Sequence, residues 1–84
     1  MTMQNVLDVS TDLDAKTARR LIGAVATVTT TDKLGNPPAE VTGKVSVIAI
    51  MDSMFMVLFE HGSPTPSLVD LNENTVIIEW YDYR

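Results

Sequence analysis

The chain lacks several residue types on which small proteins often depend for stability or chemistry. It has no cysteine and a single histidine, His61, in 84 residues. The missing cysteines exclude disulfides and thiolate metal sites, and one histidine excludes a multi-histidine site within one chain. The core of a domain this short supplies a net stability of only about 3–5 kcal/mol. Oligomerisation, or docking into a larger assembly, is the remaining source of extra stability.

Basic residues are scarce as well. Arg19-Arg20 is the only adjacent basic pair, and the formal net charge is −5. Such a chain lacks the electrostatic footprint of a nucleic-acid-binding protein, whereas an acidic domain favours a basic protein surface as partner. No signal peptide is visible, and the longest nearly apolar run, Met54 to Phe59, is too short to span a bilayer. We therefore expect protein partners, and neither nucleic acid nor membrane; the sequence leaves the location open.

Helix signals cluster early in the chain and predict a helix over about residues 11–22. Thr11 is a good N-cap, and Asp14 lies three residues on, as in a capping box. Gly23 can adopt the left-handed conformation that closes a helix, and Arg19-Arg20 would lie in the last turn, where the helix dipole favours positive charge.

The rest of the sequence is typical of short β-strands separated by turns rich in glycine, proline and asparagine. Strands are predicted over residues 24–31, 41–51, 54–60, 68–71 and 75–81. Alternation over 41–51 places odd-numbered residues on one face, and Gly43 is predicted to mark a bulge or sharp bend. Residues 1–9 show no strong period, so we expect an N-terminal arm ahead of one domain over residues 10–84. Five strands in this order predict a mainly β fold, a small SH3-like or Tudor-like barrel with an N-terminal helix.

Several short motifs occur in an order that resembles one known family. Leu21-Ile22-Gly23 precedes a strand, Val41-Thr42-Gly43-Lys44-Val45 and Val57-Leu58-Phe59 follow, and Leu68-Val69-Asp70-Leu71 leads to Val76. Over roughly residues 13–78 this order is similar to the Tudor-like barrel of the bacterial flagellar hook-capping scaffold protein and to related barrels of phage tails and baseplates. The chain departs from that pattern by a longer, proline-containing loop and an aromatic C-terminal segment. The resemblance implies a structural role in a tail, baseplate or cap-like assembly, and it implies no catalytic residue or cofactor.

Residues that could carry catalysis or bind a metal ion have simpler interpretations. As a general base His61 would need a nucleophile and an orienting group, and Ser63, Ser67 and Asp70 are near it in sequence. The two prolines and the glycine around it are nevertheless typical of a loop tip, so an ordinary loop histidine is the simpler interpretation. Asp70, Asn72, Glu73 and Asn74 are crowded, but their spacing is that of a turn and not of a calcium loop. We therefore predict no enzyme activity, no catalytic residue, no cofactor and no metal site.

Methionine and aromatic residues are the better candidates for a functional surface. Phe55 and Met56 fall on opposite faces of one apolar strand, so one face lines the core and the other is exposed unless the N-terminal helix covers it. Trp80 and the tyrosines near it are of the types enriched in interface hot spots, with core packing the simpler interpretation for Trp80. The predicted protein interface comprises Met54, Phe55, Met56, Trp80, Tyr81 and Tyr83.

Two functional hypotheses follow from these features. The first is a non-enzymatic structural or assembly module, a phage-like virion component of a tail or baseplate or a hook-like component, that forms a homo-oligomer or joins a larger assembly. The second, based on size and acidity alone, is a small acidic inhibitor that binds a basic site on a host nucleic-acid-binding protein.

Overall fold

The structure is a computed structural model that describes residues 2–9, 13–60 and 67–83. Its elements are β1 (Thr2–Asp8), α1 (Ala15–Leu21), β2 (Val25–Asp32), β3 (Ala39–Met51), β4 (Met54–Glu60), β5 (Ser67–Asp70) and β6 (Asn74–Tyr83). The strands form one antiparallel sheet in the order β1-β6-β2-β3-β4-β5. The prediction of a mainly β fold with a helix near the N-terminus is confirmed.

The N-terminal segment is a strand of the sheet, so its prediction as an arm is wrong. β1 pairs with β6 along its whole length, from Thr2 opposite Tyr83 to Asp8 opposite Ile77. Leu7 and Val9 are buried in the core. Burial of these apolar side chains and a full ladder of backbone hydrogen bonds hold the segment to its own chain, with no need for a neighbour.

The helix is shorter than predicted because its cap lies three residues later. Asp14, and not Thr11, is the N-cap, and its side-chain carboxylate accepts a hydrogen bond from the Thr17 backbone N–H at 2.8 Å. That bond is the main reason why the pKa of the Asp14 carboxyl lies below its ordinary value. Thr11 itself lies outside the described residues. At the other end the prediction is confirmed, since Gly23 adopts φ +88° directly after the helix.

Most strand bounds agree with the sequence-based prediction. β4 has the predicted ends, and the tight turn before it places Asp52 at φ 56°. The predicted loop after β2 begins with Asp32, whose carboxylate accepts hydrogen bonds from the Leu34 and Asn36 backbone N–H groups and from the Asn36 side-chain amide. The hydrogen bond from the Asn36 side-chain amide contributes most to lowering the pKa of Asp32. The last strand is longer than predicted and includes Asp82, and of the loop predicted over 61–67, residues 61–66 lie outside the described residues.

The bulge predicted at Gly43 occurs at Ser46 instead. The register of β3 against β4 shifts between Val45 and Val47, and the Ser46 hydroxyl donates to the Leu58 carbonyl at 3.0 Å. One extra residue in an antiparallel strand exchanges the two faces beyond it. Val45 is therefore buried, while Val47, predicted to share its face, is 40% exposed and Ile48 packs against the core.

β3 joins the two parts of the sheet. Its first half, Ala39–Lys44, pairs with β2, and its second half, Lys44–Met51, pairs with β4. The segment after the helix is fixed to the middle of β3, because the Gly23 N–H donates to the Val45 carbonyl and the Val45 N–H donates to the Ala24 carbonyl. The core lies on the inner face of the sheet and comprises Leu7, Val9, Leu21, Ala26, Val28, Val45, Phe55, Val57, Val76, Ile78 and Trp80.

Candidate interaction surface

The outer face of the sheet differs in chemistry from one side to the other. On the strands from β1 to the first half of β3 it mixes polar side chains, most often threonine, with apolar ones. The Thr27 and Thr42 hydroxyls are hydrogen-bonded across two strands at 2.8 Å, and the Gln4 amide donates to Glu79 at 3.3 Å. Exposed apolar side chains such as Val6 are interspersed there among polar ones, which is ordinary for a protein surface.

Beyond the bulge the outer face becomes continuously apolar. We call this surface the methionine face; it comprises Val47, Ala49, Met51, Met54, Met56, Leu58 and Leu68. Met51 is 74% exposed, Leu68 is 64% exposed, and Met54 is 40% exposed. None of the seven side chains is polar or charged, and together they cover three adjacent strands.

The register of the strands explains how these residues come together. Met51 lies opposite Met54, Ala49 lies opposite Met56, and Met56 lies opposite Leu68 on the far side. Residues directly opposite each other in an antiparallel pair share a face. The bulge places Val47 and Met51 outward, so that they align with the outward side chains of β4.

Charged groups border the methionine face at both ends. Asp52 lies in the turn between β3 and β4, and Asp70 lies opposite Met54 on β5. At the other end Glu60 forms an exposed ion pair with Lys44, with 3.7 Å between Lys44 Nζ and Glu60 Oε2. Three carboxylates and one ammonium group therefore make the rim acidic.

The structure separates the residues predicted to form an interface. Met54 and Met56 lie on the methionine face. Phe55 and Trp80 are instead core residues, 0% and 3% exposed, so they cannot contact a partner from the folded chain. Tyr81 is partly exposed on the outer face of β6, but β2 and β3 separate β6 from β4.

Two further predicted positions, Tyr83 and His61, are not part of this geometry. The side chain of Tyr83 lies outside the described part of the structure, as does all of His61. Val47, Met51 and Leu68 were not predicted as interface residues, and they are among the most exposed members of the methionine face. Their outward direction depends on the bulge and on the pairing of β5, and neither is visible in the sequence.

The alternative that the helix covers the outer face of β4 is not what the structure shows. α1 packs against β3, where Ala15 and Ala18 line a shallow cavity with Ile48 and Ile50. Ile48 packs against the core, on the side of β3 opposite to Val47. The helix therefore caps the inner side of the sheet and does not cover the methionine face.

The crowded polar residues after β5 are engaged in turn contacts. The Asp70 side-chain carboxylate accepts from the Asn72 backbone N–H, and the Asp70 carbonyl accepts from the Asn74 side-chain amide, both at 2.9 Å. Within the described ranges, no group of three or more acidic, histidine or cysteine side chains is arranged to hold a metal ion.

One buried donor stands apart from these satisfied groups. Trp80 Nε1 is buried without a hydrogen-bond partner among the described residues. An unpaired indole N–H in the core costs about 1–3 kcal/mol. It lies on the inner face, so it adds nothing to the outer surface.

Comparison with known proteins found no relative: no family model, no curated protein and no solved structure matches the chain significantly. In the described part of the chain, none of the helical structure is long and apolar enough to cross a membrane. The candidate surface therefore rests on its own geometry.

Proposed function

We propose that this chain is a non-enzymatic structural module that assembles with copies of itself, alone or within a larger complex, through the methionine face. The observation that carries the proposal is the continuous apolar surface over β3, β4 and β5, with Met51 and Leu68 mostly exposed. An exposed apolar patch rimmed by charged residues usually marks a protein interface. Methionine suits such a role because its flexible, polarisable side chain adapts to a partner.

We further propose that the sheet curls into an SH3-like or Tudor-like barrel. Two features support this. β2 to β5 follow one another as antiparallel neighbours, and β6 then returns to pair with β2. In addition, inward side chains of β2 and β3 and inward side chains of β4 and β5 line one apolar cleft of about 240 Å³. The cleft is lined by Val28, Thr30, Ala39, Val41, Val57, Phe59 and Val69.

The resemblance to the hook-capping scaffold and phage tail barrels gives the proposal its biological setting. In that setting the chain is a component of a phage-like virion, in a tail or baseplate, or of a hook-like structure. The support is the order of motifs, which includes Leu21-Ile22-Gly23 at the helix end and Leu68-Val69-Asp70-Leu71 before the last strand. Fold likeness alone does not define function, so the surface chemistry remains the main support.

The proposal predicts self-association that depends on the methionine face. Leu68→Lys places a charge within an apolar contact and should abolish association, because burying an unpaired ammonium group is strongly unfavourable. Val6→Lys is a matched control, since Val6 is 63% exposed and Leu68 is 64% exposed, both on the outer face of an edge strand. Light scattering over a concentration series measures the mass of each chain in solution.

The expected result is an oligomer for the wild type and Val6→Lys, and a folded monomer for Leu68→Lys. A wild type that stays monomeric at all concentrations contradicts the proposal. It would favour the second candidate, an acidic inhibitor of a basic protein, for which the net charge of −5 is the supporting observation. Equal effects of the two lysine substitutions would also count against the methionine face.

A further inference from the structure

The helix carries a concentration of positive charge that the rest of the acidic chain lacks. Three of the six lysine and arginine residues lie on α1, namely Lys16, Arg19 and Arg20, and all three are exposed. Their spacing of three and four residues places them on one side of the helix. Ile22, at the C-cap, adds an apolar side chain that is 46% exposed. We call these four residues the basic helix face.

The basic helix face and the methionine face belong to opposite sides of the same strand. α1 is anchored through Leu21, which is fully buried, and it packs beside Ile48 and Ile50 on the inner side of β3. Val47, Ala49 and Met51 of the methionine face point to the outer side. The two faces therefore cannot meet within one chain, and a contact between them requires a second copy.

Their charges are complementary. The rim of the methionine face carries Asp52, Glu60 and Asp70 against Lys44 alone, whereas on the helix the exposed Lys16 and Arg19 outnumber the one carboxylate near them, that of Asp14. Two methionine faces brought together would place acidic rim against acidic rim, which opposes association. A methionine face against a basic helix face pairs unlike charges, and the exposed Ile22 side chain lies at the end of the same helix.

We propose that copies of this chain associate head to tail, with the basic helix face of one copy seated on the methionine face of the next. This inference rests on the proposed function and specifies its partner surface. A contact between two different faces is heterologous, so it repeats from copy to copy and produces a ring if the rotation closes or a filament if it does not.

The test combines one variant of each face. Leu68→Lys disrupts the methionine face, and Arg19→Glu reverses a charge on the basic helix face. Val6→Glu introduces a negative charge on β1, at the opposite edge of the sheet from β5, and serves as the control together with the conservative Arg19→Lys. Circular dichroism verifies the fold of each full-length chain, light scattering gives its mass, and native mass spectrometry gives the composition of mixtures.

We expect Leu68→Lys and Arg19→Glu each to raise the dissociation constant by about tenfold or more, while both controls behave like the wild type. A mixture of the two variants should regain complexes that contain both chains, because the intact helix face of one meets the intact methionine face of the other. Self-association that is lost in Leu68→Lys but unchanged in Arg19→Glu would overturn the head-to-tail contact and leave the proposed function standing. A wild-type monomer, or association indifferent to Leu68→Lys, would remove the proposed function itself.

Discussion

At the scale of single residues, two of the smallest residues in the sheet, Ala26 and Gly43, lie beside the aromatic rings of Trp80 and Phe59. Ala26 lies opposite Trp80 on one side and opposite Gly43 on the other. A Cβ atom added at Gly43 would lie 3.0 Å from Phe59 Cδ1 and 3.2 Å from Phe59 Cβ. The glycine is therefore explained by the close approach of an aromatic side chain, since its φ is not in the left-handed region.

Gly43→Ala should consequently destabilise the fold by overpacking. Because the crowding involves Phe59 Cβ as well as the ring, a change of rotamer cannot relieve all of it. We expect a loss of about 1–3 kcal/mol in the free energy of unfolding, measured by urea denaturation.

The double variant Gly43→Ala/Phe59→Ala separates this cause from an intrinsic effect of alanine in a strand, because Phe59→Ala removes the crowding Cγ and Cδ1 atoms. If Phe59 is responsible, Gly43→Ala should be less harmful in the Phe59→Ala background than in the wild type. An equal loss in both backgrounds would show that the ring is not the reason for the glycine.

At the scale of elements, the strongest local signals predicted the structure best. β4 has the predicted bounds, and Gly23 ends the helix as expected, because a dense apolar run and a helix-closing glycine act locally. The bulge was misplaced because a glycine in a strand indicates either a bend or a close approach, and here Phe59 causes the second. The actual bulge is at Ser46, a residue that carries no such signal.

β1 was missed for a different reason, since the usual alternation of apolar and polar residues is broken at Asn5 and Val6. Apolar Val6 is exposed on the outer face, while polar Asn5 lies on the inner side opposite Trp80. Pattern-based reasoning relies on apolar residues facing inward, so it found no period there. The strand is held by its pairing with β6, which only the folded chain provides.

The start of the helix leads to a prediction that depends on pH. Asp14→Ala removes the acceptor for the Thr17 N–H and should lower the thermal unfolding temperature, whereas Asp14→Ser keeps a capping oxygen and should lower it less. The pKa of Asp14 is lowered in the folded state, mainly by the Thr17 backbone hydrogen bond. The ionised carboxylate therefore adds stability above the ordinary carboxyl pKa, and this contribution is lost as pH falls through the lowered pKa.

Melting curves of the wild type and Asp14→Ser from neutral to acidic pH provide the measurement. The advantage of the wild type over the serine variant should be constant near neutrality and should shrink below about pH 4. An advantage that grows on acidification would mean that the carboxylate is not the stabilising form.

At the scale of the whole molecule, the division of the predicted interface into core and surface follows from the sheet. The sequence identified an apolar strand with two faces, and the structure assigns Phe55 to the core and Met54 to the outside. The sequence could not predict that Met51 and Leu68 extend the same surface. Their positions depend on a bulge in one neighbouring strand and on the register of another, and both are set by tertiary pairing.

The role of β1 in this small molecule gives a last prediction, which sets the observed strand against the arm expected from the sequence. Leu7 is 8% exposed and lies opposite Ile78 in the core, while its neighbour Val6 is 63% exposed. Leu7→Ala should lower the free energy of unfolding by about 2–4 kcal/mol, which is most of what a domain of this size possesses. Val6→Ala should change it little, because the Val6 side chain is mostly in water in both the folded and the unfolded state.

Urea denaturation of both variants measures the difference, and equal, small effects would mean that β1 separates from β6 in solution. In that case one edge of β6 would lose its hydrogen-bonded neighbour, and the arm would become a candidate for exchange between copies.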